Sequence, residues 1–119
     1  MRDPNNPCIF CNTKESGLVN ENSLAYSSYD TYPVSDLHYL IIPKRHIKDY
    51  FELNDDEVIA CNELIKITKE EILSKDPLVK GFNIGTNAGK VAGQSVLHCH
   101  IHLIPRREGD VDNPQGGVR

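Results

Sequence analysis

Gln94-Ser95-Val96-Leu97-His98-Cys99-His100-Ile101-His102-Leu103-Ile104-Pro105 decides how this chain is read. Three of the five histidines alternate over five residues in it. Side chains of a β-strand alternate between its two faces, so a strand over 96–104 places His98, His100 and His102 on one face. Cys99, Ile101 and Leu103 then point the other way, into a core. Three imidazoles on one face suit metal binding or proton and phosphoryl chemistry near neutral pH, and ordinary core packing does not call for them.

Working outward, residues 87–93 (NAGKVAG) form a glycine-rich loop, and residues 81–86 (GFNIGT) read as a strand that precedes it. The clearest helix runs over 54–75. Asn54 is a good N-cap, Glu57 stands at the reciprocal capping-box position, and Asp55 and Asp56 favour the positive end of the helix dipole. Val58, Cys61, Ile65, Thr68 and Ile72 recur at three- and four-residue spacing and predict the buried face. Lys75 and then Pro77 mark its end. His38-Tyr39-Leu40-Ile41-Ile42 reads as a buried strand stopped by Pro43, and residues 24–29 are a short β-prone piece. Strands without regular β-α-β alternation and with one long helix predict an α+β fold built on an antiparallel sheet. Residues 1–7 (MRDPNNP) and the tail from Arg106 are polar and close no core.

The 119 residues fit one domain, 39% hydrophobic and 25% charged. A net charge of −4 gives no bulk attraction to nucleic acid. No apolar run has the length of a membrane span, and residues 1–10 lack the apolar region of an export signal, so a cytoplasmic, reduced setting is expected. Four cysteines (Cys8, Cys11, Cys61, Cys99) are then thiols rather than two disulfides. Cys8-x-x-Cys11 becomes a metal or redox candidate. Cys61 and Cys99 read as packing residues.

These blocks together resemble the histidine triad (HIT) superfamily. His98-Cys99-His100-Ile101-His102-Leu103-Ile104 is similar to its His-φ-His-φ-His-φ-φ signature, with Gly93-Gln94-Ser95 ahead of it and Asn87 eight residues before Ser95. Asp30-Thr31-Tyr32-Pro33-Val34, His38 and Ile42-Pro43-Lys44-Arg45-His46 resemble its first block, and Cys8-x-x-Cys11 the cysteines of its zinc-containing members. The likeness covers about residues 8–109, with 110–119 left as a polar tail. It implies a five-stranded antiparallel sheet with one long and one shorter helix, the sheet continuing across a two-fold homodimer, and a nucleotide pocket in each protomer. The implied reactions are nucleotidyl transfer and hydrolysis at an α-phosphate.

Carried over residue by residue, the resemblance implies that His100 is the nucleophile, oriented by a backbone carbonyl, and that His102 donates to a phosphate oxygen. Gln94 and Ser95 match groups around the phosphate and bridging oxygen. Asp30 matches a ribose-binding position, although its place before Tyr32-Pro33 equally suits a turn. His38 matches a histidine near the site, although it also opens an apolar strand. Asn87 is implied at the phosphate or as a holder of its loop. Cys8, Cys11, His46 and His98 match the ligands of a structural Zn2+, which takes His98 out of proton chemistry. Lys44, Arg45, Arg106 and Arg107 read as solvated surface more readily than as polyphosphate ligands.

The chain departs from the family in two places. Asp36-Leu37-His38 replaces the usual Pro-Gly-His, and there is no tryptophan. The missing tryptophan weakens the link to Hint-type phosphoramidases. The tail is more similar to microbial hydrolases described as acting on dinucleoside polyphosphates. Hydrolysis of a nucleotide such as diadenosine tetraphosphate is therefore the leading expectation. Adenosine phosphoramidase, phosphorylase and a non-catalytic nucleotide-binding zinc module are the alternatives.

Overall fold

A computed structural model describes residues 8–115. The polar stretches at 1–7 and 116–119 lie outside the described residues. Nine short elements follow one another in it, and a single antiparallel sheet gathers the five strands. They are β1 (Leu18–Glu21), β2 (Ala25–Tyr29), β3 (Tyr39–Pro43), β4 (Gly81–Gly85) and β5 (Ile101–Arg106), in the order β1-β2-β3-β5-β4. The short helix α1 (Thr13–Ser16) precedes β1, and the long helix α2 (Asp55–Lys75) joins β3 to β4. Single 3-10 turns occupy Tyr50–Glu52 and Lys90–Ala92. This is the α+β arrangement expected, with one long and one short helix.

The alternation of side chains sorts the core into two layers. Ala25, Ile41 and Ile101 pack with Ala60, Cys61 and Leu64 of α2, and Tyr39 and Leu103 pack with Ile72 and Val79. From the same strands Tyr26, Leu40 and Ile42 point to the opposite face and meet Phe10. β3 is thus covered on both sides, which is why it reads as an unbroken apolar run. The helix-free face, roofed by the chain around residues 8–11, is the one that carries the histidines.

The capping box of α2 forms as the sequence predicts: Glu57 N donates to Asn54 Oδ1 at 2.9 Å, and Asn54 N donates to Glu57 Oε1 at 2.9 Å. The buried face is Glu57, Ala60, Cys61, Leu64, Thr68 and Ile72; Val58 and Ile65 from the predicted stripe are half-buried. A buried Glu57 has a second reason. Arg45 grips it with Nε at 2.9 Å and Nη2 at 2.8 Å, and the Arg45 hydrogen bond is the main cause that lowers the Glu57 pKa. Arg45 also donates to Glu52 O at 3.0 Å. The segment bearing His46 is therefore pinned to the start of α2.

Three differences from the sequence reading have physical causes. β1 was not foreseen because it is a largely exposed edge strand with an irregular register between Leu18 and Asn20, so it lacks the buried alternation that marks a strand. β5 begins at Ile101 rather than at 96, and runs on through Pro105 to Arg106. Pro105 is tolerated because pairing with β3 stops at Leu103, so only β4 lies beside it. Leu37, where the family's glycine would stand, keeps the left-handed turn with φ 67°. That conformation costs roughly 1–2 kcal/mol in a residue with a Cβ. The Leu37 side chain offsets part of it by packing against the Tyr39, Ile72 and Leu103 cluster.

Replacing Glu57 with Ala removes the reciprocal half of the cap and the Arg45 anchor together. It is expected to lower unfolding free energy by about 1–2 kcal/mol, read by urea denaturation. A change within about 0.3 kcal/mol would show that the clamp is ornamental.

Candidate active site and metal centre

Residues 94–100 lie outside the sheet, with a bend at 96–98, and other groups take over backbone hydrogen bonds there. Cys99 N donates to Ile47 O at 2.8 Å, and Thr86 Oγ1 donates to His100 O at 2.7 Å. Alternation survives without the ladder: Cys99, Ile101 and Leu103 are buried in the α2-facing core, while His98, His100 and His102 take the opposite side. The three histidines nevertheless enter three different environments.

His98 is fully buried and belongs with Cys8, Cys11 and His46, whose ligand atoms all lie within 4.8 Å of one another. His98 Nδ1 is 3.4 Å from Cys8 Sγ, 3.5 Å from Cys11 Sγ and 3.1 Å from His46 Nδ1; Cys11 Sγ is 3.1 Å from His46 Nδ1. A tetrahedral Zn2+ with two sulfur and two nitrogen ligands needs ligand atoms separated by roughly 3.3–3.8 Å, so this donor set fits the ion once His46, 3.1 Å from two of its neighbours, moves slightly outward. The far side of the ring agrees. His98 Nε2 lies 2.8 Å from Pro43 O, and a carbonyl only accepts, so Nε2 carries the proton and Nδ1 keeps its lone pair for a metal. Phe10 lies between the two cysteines in sequence. Its ring centroid is 5.0 Å from that of His100, and Tyr26 Oη donates to its carbonyl at 2.6 Å. A metal holding Cys8 and Cys11 thus also holds a wall of the neighbouring cleft.

His100 is buried, and its Nδ1 donates to His98 O at 2.8 Å. The same logic leaves the Nε2 lone pair exposed to chemistry. A cleft of about 340 Å3 is lined by His100 and His102, and by Phe10, Leu40, Ser95 and Asn87 among others. Its lining mixes apolar side chains such as Ile9, Phe10 and Leu40 with a few polar groups, as small-molecule sites usually do.

His102 is linked to His38 and Asp30. Val34 N donates to His38 Nδ1 at 3.0 Å, so the His38 proton is on Nε2. That Nε2 lies 3.0 Å from His102 Nδ1 and 3.3 Å from Asp30 Oδ2. His102 Nδ1 therefore accepts, and its Nε2–H is the donor left over. Burial lowers the pKa of His38. Burial, with His100 and His38 nearby, lowers that of His102 to about 4. Both rings are neutral at pH 7. Asp30 Oδ2, His38 Nε2 and His102 Nδ1 also have the spacing of a metal triad. The proton that Val34 forces onto His38 Nε2 excludes ligation there.

Asp30 also accepts from Tyr32 N at 2.9 Å, so the turn reading and the position beside the cleft hold together. Asn87 donates weakly to Gly93 O at 3.4 Å and borders the cleft. Gly93, at φ 95°, brings this loop round, and a Cβ there would stand 3.5 Å from Asn87 Nδ2.

Gln94 differs from its expected place among the phosphate-facing groups. It is buried, its Nε2 donates to Lys48 O at 2.6 Å and Val96 O at 2.9 Å, and its Oε1 accepts from Gly89 N at 2.8 Å. Its amide is fully committed to backbone, so it staples the glycine-rich loop to the His46 segment. The four basic residues are likewise engaged, in the ion pairs Lys44–Glu21, Arg45–Glu57, Arg106–Asp110 and Arg107–Asp76. Phe10 and Thr86 were missed as supports of His100. The position of Phe10 between two candidate ligands was a usable signal; Thr86 carried none.

Residues 12–109 match the HIT domain family. The chain is 37% identical over 107 residues to a HIT-like protein of Methanocaldococcus jannaschii, covering 87% of this chain and 81% of that one. It is 33% identical over 108 residues to the adenosine 5′-monophosphoramidase of Candida albicans, covering 85% and 71%. Among solved structures, it is similar to a zinc-bound histidine triad family protein from Mycobacterium smegmatis. The TM-score is 0.77 at 29% identity, with 87% of this chain and 78% of that one covered.

Zinc analysis of purified protein is expected to give about one equivalent, and its removal by chelation to lower the melting temperature by several degrees. Metal-free protein that melts unchanged would contradict the assignment.

Proposed function

The chain belongs to the HIT family, and we propose that it is a nucleotide hydrolase in which His100 forms a transient nucleotidyl-imidazole. One observation carries the reading: the His100 Nδ1–H to His98 O bond at 2.8 Å, which presents a neutral Nε2 lone pair to the cleft. The nucleoside occupies the 340 Å3 cleft, with Asp30 at its ribose. Nε2 attacks the α-phosphorus, an N–P bond forms, and the bond to the leaving oxygen breaks. The imidazole becomes cationic, and the His98 carbonyl at Nδ1 stabilises that charge. His102 Nε2–H donates to a phosphoryl oxygen. Ser95 and Asn87 border the phosphate, and Gln94 holds their loop. Water then attacks phosphorus and releases its proton to solvent, the N–P bond breaks, and its electron pair returns to His100 as the Nε2 lone pair.

Cys8, Cys11, His46 and His98 would hold Zn2+ with no open position, so the ion supplies rigidity and no Lewis acid. The substrate class is a dinucleoside polyphosphate such as diadenosine tetraphosphate. The Candida relative favours a second reading, cleavage of a phosphoramidate P–N bond by the same nucleophile. A homodimer that continues the sheet requires a free edge. The regular β4 suits this better than the irregular β1. Among the described residues no helix is long and apolar enough to cross a membrane.

Purified protein is to be incubated with diadenosine tetraphosphate and, separately, adenosine 5′-monophosphoramidate, beside His100→Ala. Nucleotide release from the tetraphosphate that falls at least about a thousandfold in the variant is the expected result. Release by His100→Ala at the parent rate would contradict the mechanism. His100-dependent release from the phosphoramidate alone would establish the second reading.

A further inference from the structure

A second cleft, of about 310 Å3, adjoins the first. Asp30, Tyr32, Asn87 and His102 border both and form a common wall. The floor of the second is the open sheet face where Asn83 of β4 pairs with Ile104 of β5 and Gly85 pairs with His102. Its outer side is Val34 and Tyr32, on the connection between β2 and β3.

The character of this lining limits what fits. It contains no lysine or arginine, and Arg106 and Arg107 at the end of β5 are held in ion pairs, so a phosphate finds no cation in it. Tyr32 is 89% exposed and Val34 63% exposed. Apolar surface left at a cleft mouth gains free energy when a flat ring covers it, and aromatic rings stack on nucleobases. Asn83 Oδ1 accepts from Arg106 Nη1 at 3.0 Å, so its NH2 is the group it can offer to an acceptor edge. A planar, uncharged, hydrogen-bonding ring system meets these conditions. The small amine released from a phosphoramidate needs no such space.

We infer that this second cleft is a leaving-group subsite that takes the distal nucleoside of a dinucleoside polyphosphate, with Tyr32 stacking on its base. The inference rests on the nucleotide reading of the first cleft. The proximal nucleoside lies there, and the phosphate chain crosses the shared wall over His102 and Asn87.

Equilibrium binding separates the second nucleoside from the phosphates. Affinities of a methylene-bridged, non-hydrolysable diadenosine tetraphosphate and of adenosine 5′-tetraphosphate carrying the same methylene bridges are compared in the parent, in Tyr32→Ser and in Val34→Asp. Both ligands share the first cleft and the phosphate chain, so the ratio isolates the distal nucleoside. The dinucleotide is expected to bind about tenfold more tightly in the parent, the size of one base–aromatic stack. That advantage should vanish in both variants. Equal affinities in the parent, or an advantage that survives either substitution, would overturn the subsite. Both substituted residues are exposed. Val34 borders only the second cleft, so retained binding of the mononucleotide by Val34→Asp reports that the first is intact. Tyr32→Ser, which borders both, is read through the ratio, and its folding by its melting temperature. The readout needs no turnover. A failure of His100-dependent hydrolysis with binding intact would therefore strike the catalytic reading and leave the subsite standing.

Discussion

The hydrogen bond from His100 Nδ1 to the carbonyl of His98 is the contact on which the rest of this molecule converges. It is a bond between neighbours two apart, so its length depends on holding the backbone of residues 98–100 in one conformation. The sheet does not do this, because β5 begins only at Ile101. Cys99 N is anchored on Ile47 O, His98 Nε2 on Pro43 O, and His100 O receives Thr86 Oγ1. Two segments distant in sequence, the end of β3 with its following loop and the loop after β4, thereby fix one short peptide. The Arg45–Glu57 clamp holds the first, and the Gln94 staple ties the two together.

The metal cluster and the nucleophile are two ends of one residue. His98 offers Nδ1 to the Cys8, Cys11 and His46 group and its carbonyl to His100. A metal there would restrain the backbone that orients the nucleophile and, through Phe10, the wall against which the His100 ring packs. This coupling is mechanical and needs no electron transfer. It gives a physical reason for the two thiols to flank Phe10, whose ring borders the cleft.

Much of this was legible in the residues because their periodicities were strong. The capping box at Asn54 and Glu57, the double-sided burial of β3 and the inward row Cys99, Ile101 and Leu103 each follow from one local rule. What could not be read has a common cause: it depends on contacts distant in sequence. Gln94 was placed by position among phosphate groups, yet the carbonyls of Lys48 and Val96 consume its amide. The helix face is centred on Leu64 rather than Ile65: Ala60, Cys61 and Leu64 pack on the sheet, and the Arg45 pair lets the charged Glu57 share that buried face. Leu37 keeps a glycine's turn because its side chain has a hydrophobic cluster to join.

The division of labour among the three histidines is a statement about where three protons are. Backbone carbonyls place them on Nε2 of His98 and Nδ1 of His100, and the His38 ring places the third on Nε2 of His102. Long-range nitrogen–proton correlation spectra of 15N-labelled protein at neutral pH read these tautomers directly. The account predicts Nε2–H, Nδ1–H and Nε2–H respectively. A His100 protonated on Nε2, or carrying both protons, would leave no lone pair for attack and would contradict it.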